Sequence, residues 1–123
     1  MICLDTNYLI LGLSNGTREA EQLIEWIQAG ESLVTPMIAW FEFRCGPVTE
    51  VQTATMRAFL KEVVIFDEPQ VIEAARLFNA VGRKRALRVD AIVASSAVVA
   101  GARLATNNYE HFAAFAPYGL QLI

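Results

Sequence analysis

Short apolar segments alternate with helical patterns along the whole chain, and this alternation limits the folds that are open to it. Apolar runs that are too short for helices occur at Ile2–Leu4, Ser32–Thr35, Val63–Phe66 and Arg103–Thr106. Strands separated by helices form parallel sheets, because each right-handed crossover lays its helix on a face of the sheet. We therefore expect an α/β fold, a three-layer αβα sandwich with a mostly parallel central sheet.

Helix start and stop signals lie between the predicted strands. Thr17 is a favoured N-cap for a helix that reaches about Ala29, and Pro69 marks the first turn of a helix that reaches about Gly82. The segment Val89–Ala100 has almost no polar face, which predicts a helix buried on most sides. The other predicted elements are helices at Tyr8–Leu13, from Pro36 to Gly46, at Thr49–Glu62 and after Asn107 or Asn108, and a fifth strand or tail at Leu120–Ile123.

Length and composition predict one domain with apolar surface to spare. The chain has 123 residues with no internal repeat or linker, so we expect a single domain spanning residues 1–123. Hydrophobic residues make up 54% of it, which is enough for a real core and leaves apolar surface for a partner. We therefore expect a homodimer, in which a two-fold pair hides that surface.

The charge balance restricts how the chain can contact nucleic acid. The formal net charge is −3, so the protein as a whole is not a basic nucleic-acid binder. Any phosphate contact has to come from a local patch, and one candidate run is present. It consists of Arg83, Lys84, Arg85 and Arg88. Its ordinary alternative is a solvated loop.

Cysteine use and hydropathy predict a soluble cytoplasmic protein. Cys3 and Cys45 have no metal-ligand spacing, and the single His111 cannot complete a zinc site. Cys3 lies in an apolar strand pattern, where a buried free thiol fits a reducing compartment. The start of the chain does not resemble a secretory signal, and charged residues or proline interrupt every apolar stretch before it could span a bilayer.

Polar residues follow the predicted strands at the edge of the sheet where function collects in parallel α/β folds. Asp5 directly follows the first strand, and Asn108 lies just past the fourth. Asp90 lies in the first turn of the apolar helix. Glu42 lies on the helix after the second strand, with a side chain long enough to reach back. We expect all four side chains at the carboxyl edge of the sheet.

Several carboxylates in one pocket repel each other unless a divalent cation neutralises them or some of them are protonated. The acids Asp5, Glu42 and Asp90 have no Cys or His partner, and oxygen ligands alone select hard ions such as Mg²⁺ or Mn²⁺. Such an ion can polarise a phosphodiester and lower the pKa of an attacking water. The sequence therefore predicts a hard-cation site.

Each of these residues also has an ordinary structural interpretation. Asp5 can cap the helix that follows it, Glu42 can face solvent, and Asp90 can pair with the dipole of its helix. Asn108 is a common N-cap residue, and Asn107 with Glu110 fits a capping box. The pattern alone leaves both interpretations open.

Four segments, taken in order, resemble those of PIN-domain ribonucleases, and within that class those of VapC-type toxins of toxin–antitoxin pairs. The segments are Ile2–Asn7, Trp40–Glu42, Arg88–Ala94 and Leu104–Phe112. The resemblance runs from one end of the chain to the other. It implies a parallel αβα sandwich, an acidic Mg²⁺ or Mn²⁺ site, endonucleolytic cleavage of RNA, homodimers, and a cognate antitoxin whose tail covers the site.

The resemblance also implies roles for single residues. Asp5, Glu42 and Asp90 match the three most characteristic acids, with Asp5 and Asp90 as direct ligands and Glu42 as a ligand or a residue that orients a bound water. Thr6 matches the small hydroxyl residue beside the first acid, where it can bond a ligand carboxylate or a phosphate oxygen. Asn108 stands where the family has a fourth acid or an asparagine, and an amide there adds an acceptor without charge.

Other classes fit the sequence less well. Haloacid-dehalogenase-like phosphatases have a second Asp where this chain has Asn7, and receiver-like domains need a late Lys, yet none follows Lys84. A nucleotide-binding fold would need a glycine-rich loop, which is missing. A PIN-like scaffold that binds RNA or protein without cutting remains as the non-enzymatic alternative, and clustered acids oppose it because uncompensated charge destabilises a fold.

Overall fold

A computed structural model, which describes residues 1–123, confirms the predicted α/β fold. Its centre is a four-stranded parallel sheet with strand order β3-β2-β1-β4. The strands are β1 Ile2–Leu4, β2 Leu33–Pro36, β3 Leu60–Val64 and β4 Arg103–Ala105. Every residue of β1 and β2 is buried, as expected for central strands that are covered on both faces.

Seven α-helices surround the sheet. They are α1 Thr6–Leu11, α2 Arg18–Gln28, α3 Met37–Cys45, α4 Glu50–Phe59, α5 Glu68–Ala80, α6 Arg88–Ala100 and α7 Tyr109–Ala113. As predicted, α6 is buried along most of its length. None of the helices combines the length and the apolar character needed to cross a membrane.

Two hydrophobic cores lie on opposite faces of the sheet, because side chains alternate along a strand. Ile2 and Leu4 pack with residues of α1 to α4, including the fully buried Phe43. Cys3 points the other way and packs with residues of α5 to α7, including Leu77. Cys3 is a free, buried thiol as predicted, and burial raises its pKa. The three layers of the expected sandwich are therefore present.

Side-chain caps begin several of the helices. The Thr17 hydroxyl accepts a hydrogen bond from the backbone N–H of Ala20 at 3.1 Å, which confirms the predicted start of α2. Thr49 and Gln52 form a reciprocal capping box at the start of α4. Asp67 caps α5, so that helix begins one residue before the predicted Pro69.

The predicted boundary between α4 and β3 is wrong. The strand occupies Leu60–Val64 instead of Val63–Phe66, and the preceding helix ends at Phe59 instead of Glu62. The strand is at the edge of the sheet, so it tolerates exposed Lys61 and Glu62 between its buried ends. The apolar pair Ile65 and Phe66, which suggested a strand, lies outside it and is exposed.

Two smaller corrections concern the ends of the chain. The first helix begins at Thr6, immediately after its cap Asp5, and ends at Leu11 instead of Leu13. At the other end no fifth strand forms. Leu122 makes a single parallel bridge to Leu104, so the tail alternative is the correct one.

Candidate active site

Asp5 lies where β1 ends, at the centre of the carboxyl edge of the sheet. Its Oδ1 accepts a hydrogen bond from the backbone N–H of Thr6 at 2.8 Å, and its Oδ2 accepts one from the hydroxyl of Thr106 at 2.8 Å. Asp5 is therefore the N-cap of α1, as the ordinary interpretation supposed. A carboxylate has about four lone-pair positions, so two of them stay available for a cation.

The surroundings of Asp5 disfavour its charge. Burial is the main cause that raises the pKa of this carboxyl group, and the negative charge of Asp90 raises it further. The hydrogen bonds from Thr106 and Thr6 act in the opposite direction without cancelling the shift. No basic residue contributes to the balance, so the ionised form of Asp5 has no positive partner within the protein.

Glu42 lies in the second half of α3 and is exposed to solvent. The charges of Asp5 and Asp90 nevertheless act on it. Partial burial raises the pKa of its carboxyl group, and the charges of Asp5 and Asp90 raise it further. No hydrogen bond offsets this shift. Three acids from β1, α3 and the first turn of α6 thus repel one another at one edge of the sheet.

Asp90 has a partner that sequence analysis missed. Helix α7 brings His111 to it, and Nδ1 of His111 lies 3.1 Å from Oδ2 of Asp90. His111 had been noted only as a histidine that cannot complete a zinc site, although it belongs to the last of the four resembling segments. Carboxylates that ligate metals are commonly oriented by such neighbours. His111 therefore lies where it can fix the orientation of the Asp90 carboxylate.

The hydroxyl group that donates a hydrogen bond to Asp5 is that of Thr106, a residue to which the sequence pattern gave no role. Thr6 contacts Asp5 through its backbone N–H. Thr106 follows β4, the strand that pairs with β1, so its hydroxyl faces Asp5 across the sheet edge. Its oxygen also accepts a hydrogen bond from the backbone N–H of Asn108 at 3.0 Å. The signal for Thr106 was its place at a strand end, two residues before Asn108.

Neither asparagine makes the capping bond that its sequence position allows. Asn108 occupies the N-cap position of α7, but its side chain makes no capping hydrogen bond. The predicted capping box between Asn107 and Glu110 does not form, because Nδ2 of Asn107 instead donates to Oε1 of Glu19 at 3.3 Å. No sequence pattern had pointed to Glu19.

The basic run leads into the helix that carries Asp90. Arg83, Lys84, Arg85 and Arg88 are all exposed, in the turn between α5 and α6 and at the start of α6. None of them is among the charges that shift the pKa values of Asp5 and Glu42. The run therefore does not neutralise Asp5 or Glu42.

The donor set fits a hard divalent cation that keeps part of its water shell. No three Asp, Glu, His or Cys side chains converge closely enough to ligate one ion together. Mg²⁺ retains several waters and is commonly held by only one or two carboxylates. Asp5 and Asp90 can supply that number, and Glu42 can act through a bound water.

The family relationship agrees with this geometry. A family model described as the PIN domain matches residues 2–116. The chain belongs to the PIN-domain family. Among curated proteins, no sequence gives a significant match.

Several solved structures share this PIN fold. One chain of a toxin–antitoxin complex from Klebsiella pneumoniae is 27% identical with a TM-score of 0.70, covering 92% of this chain and 91% of that one. A chain of FitAcB from Neisseria gonorrhoeae is 19% identical with a TM-score of 0.75, covering 100% and 96%. A chain of VapBC-1 from nontypeable Haemophilus influenzae is 20% identical with a TM-score of 0.70, covering 100% and 97%. The similarity therefore covers nearly the whole length of this chain and of each matched chain.

The repulsion within the acid cluster leads to a prediction about stability without metal. We expect Glu42→Gln in chelator at neutral pH to melt at or above the wild-type temperature, with a gain of up to ~1 kcal/mol, the scale of solvent-exposed charge interactions. The folded state raises the pKa of Glu42, so protonated Glu42 favours folding. This contribution to stability exists at acidic pH and disappears as the pH rises through the pKa of the folded state. The stability gain of Glu42→Gln over the wild type should therefore vanish in acid.

Thermal melts at several pH values test this, with Glu25→Gln as the matched control. Glu25 is an exposed glutamate on α2, and its charge does not contribute to the pKa shifts of Asp5 or Glu42. Adding Mg²⁺ should stabilise the wild type by about 2.7 kcal/mol at a hundredfold its dissociation constant, and Glu42→Gln by less. A Gln variant that is less stable than wild type in neutral chelator would contradict the repulsion.

Proposed function

We propose that this PIN-domain protein is a divalent-metal-dependent endoribonuclease and the toxin of a toxin–antitoxin pair. The observation that carries the proposal is the grouping of Asp5, Glu42 and Asp90 from three separate elements at one edge of the sheet, where no Lys or Arg is among the charges that act on Asp5 or Glu42. Uncompensated clustered charge costs stability, so a fold that keeps it has a use for it. Membership of the PIN family and toxin–antitoxin relatives support this choice over a binding scaffold.

In the proposed mechanism, Asp5 and Asp90 hold Mg²⁺ or Mn²⁺. When bound, such an ion supplies Lewis-acid chemistry, because it activates water and neutralises charge on the phosphodiester. The Thr106 hydroxyl and His111 keep the two carboxylates in their orientations. Glu42 orients the attacking water and accepts its proton, a role that suits a carboxylate whose pKa is raised. Attack by water leaves a 5′-phosphate and a 3′-hydroxyl.

Other polar residues would contact the RNA strand. The Thr6 hydroxyl and the Asn108 amide contact the scissile phosphate or its attacking water. The exposed run Arg83, Lys84, Arg85 and Arg88 leads into α6, which carries Asp90, so it is suited to hold phosphates next to the cleaved one. Single-stranded or looped RNA fits this open edge, since its unstacked bases can enter a pocket.

The proposal includes two protein partners. An antitoxin tail carrying Arg would pair with the acids near Glu42 and Asp90, because a guanidinium binds carboxylates bidentately. A second copy of the chain would cover the exposed Ile24, Ile27 and Phe59, which line an apolar groove between α2 and α4. Free Cys3 and Cys45 suit the reducing cytoplasm, where both partners would be made.

Metal dependence tests the proposed activity directly. We expect the purified protein to cleave single-stranded RNA in Mg²⁺ or Mn²⁺ and to lose all measurable cleavage in excess chelator, because carboxylates alone cannot activate the water. The assay follows an end-labelled RNA on a denaturing gel and determines the chemistry of the new ends. Activity should return when the metal is restored. Cleavage that persists in chelator would exclude the proposed mechanism.

A further inference from the structure

A polar cavity of about 480 Å³ opens next to Thr106, the residue whose hydroxyl contacts Asp5. It lies among α1, α2, the end of β4 and the start of α7. Its volume is within the ~300–1,000 Å³ typical of small-molecule pockets. Thr106 lines this cavity and also donates its hydroxyl hydrogen bond to Asp5, so the cavity adjoins the acidic site directly. Its main polar and aromatic lining residues are Tyr8, Arg18, Glu19, Gln22, Asn107 and Tyr109.

Glu19 is the unusual residue in this cavity. It is buried to 8% exposure, although it lies in the first turn of a helix whose other acids face solvent. Its Oε1 accepts one hydrogen bond from Asn107 at 3.3 Å and lies 3.6 Å from the guanidinium of Arg18, whose side chain is 72% exposed. Such partners satisfy only part of a carboxylate's acceptor capacity. Glu19 therefore retains acceptor positions within the cavity.

The remaining lining suits a flat, polar ring. The Tyr8 hydroxyl donates to Oε1 of Gln22 at 2.7 Å, which orients the Gln22 amide, and the Tyr8 ring is held by stacking on Trp26. Tyr109 at the mouth of the cavity is 56% exposed, so its ring face is available. Exposed aromatic rings beside a nucleic-acid groove bind bases by stacking.

We propose that this cavity binds the guanine base next to the cleaved phosphate. The Watson–Crick edge of guanine presents two adjacent donors, N1–H and the N2 amino group, which match the two oxygens of a carboxylate. Adenine, cytosine and uracil each place a ring or carbonyl acceptor beside their donor, and that acceptor would face the carboxylate of Glu19. Tyr109 stacks on the ring, and Arg18 lies near enough to pair with a neighbouring phosphate.

This inference rests on the proposed ribonuclease function, but its test does not need cleavage. The full chain in chelator is titrated with 5′-GMP, 5′-AMP, 5′-CMP and 5′-UMP, and backbone NMR shifts locate the bound nucleotide. We expect 5′-GMP to bind most tightly and to shift the residues of α2 and the start of α7. Equal binding of all four, or shifts elsewhere on the protein, would overturn the assignment.

Variants separate base recognition from stacking. Glu19→Gln should weaken 5′-GMP binding roughly tenfold, the scale of one bidentate base contact, and change 5′-CMP binding little. Glu21→Gln, an exposed acid two residues along the same helix, is the matched control and should change neither. Tyr109→Ala should weaken all four nucleotides similarly, because stacking is tolerant of base identity. If Glu19→Gln does not fold, Asn107→Ala replaces it, because Asn107 is exposed and donates to Glu19. We expect the same loss of affinity for 5′-GMP in that variant.

Sequencing of RNA ends separates this inference from the function on which it rests. The wild type and Glu21→Gln should cut beside guanine, whereas Glu19→Gln should lose that preference. Cleavage without any guanine preference would exclude the guanine site but would still support the proposed nuclease activity. Guanine binding by a protein that cleaves no RNA would support the guanine site and exclude the proposed nuclease activity. A cavity that ignores 5′-GMP but is filled by the antitoxin tail would be a protein-binding site, which also overturns the inference.

Discussion

Asp5→Asn is expected to lower RNA cleavage by roughly 10²–10⁴-fold, the range for loss of a positioned catalytic group, with little change in stability. Asparagine caps helices about as well as aspartate, so the start of α1 should survive the change. What disappears is the negative charge that would hold the cation at the end of β1. Initial cleavage rates and melting temperatures, measured on the same preparations, separate the two effects.

Asp67→Asn is the matched control for that experiment. Asp67 caps α5 in the same way as Asp5 caps α1, and its charge does not contribute to the pKa shifts of Asp5 or Glu42. We expect this control to keep wild-type cleavage. If Asp5→Asn retained activity as Asp67→Asn does, Asp5 would be a helix cap only, and the metal site would have to lie elsewhere.

Phe43→Ala is expected to cost about 3–5 kcal/mol of unfolding free energy, the range for removing a buried aromatic side chain. Phe43 is 0% exposed, belongs to the core under α1 to α4, and packs on Trp40 with ring centroids 5.3 Å apart. The loss should also disturb Glu42, which is the preceding residue on α3. Urea unfolding measures the change in free energy.

Phe41→Ala provides the same substitution on the same helix at an exposed position. Phe41 is 64% exposed, so the monomer should change by less than about 0.5 kcal/mol. Equal losses in the two variants would contradict the orientation of α3. A loss in Phe41→Ala that grows with protein concentration would instead locate a face of the proposed dimer on this helix.

Local sequence patterns predicted the architecture well, because each pattern is a property of neighbouring residues. Alternation of short apolar runs with helices is sufficient for a parallel sheet with helices on both faces. The same rule placed Asp5 at a strand end, since the end of an apolar run is visible in the sequence. Asp90 at the start of an apolar helix was found in the same way. The boundary of β3 was missed because an edge strand tolerates the exposed Lys61 and Glu62, which imitate a helix surface.

The sequence by itself therefore determined the class of fold, the order of its elements and the acids of the candidate site. Only the tertiary structure decided which groups support those acids. Thr106 reaches Asp5 across 101 positions of sequence, Asn107 reaches Glu19 across 88, and His111 reaches Asp90 across 21. Such pairs depend on strand order and on how helices pack, which no local periodicity encodes. The cavity around Glu19 exists for the same reason, because residues from four separate parts of the chain meet only once β4 pairs with β1.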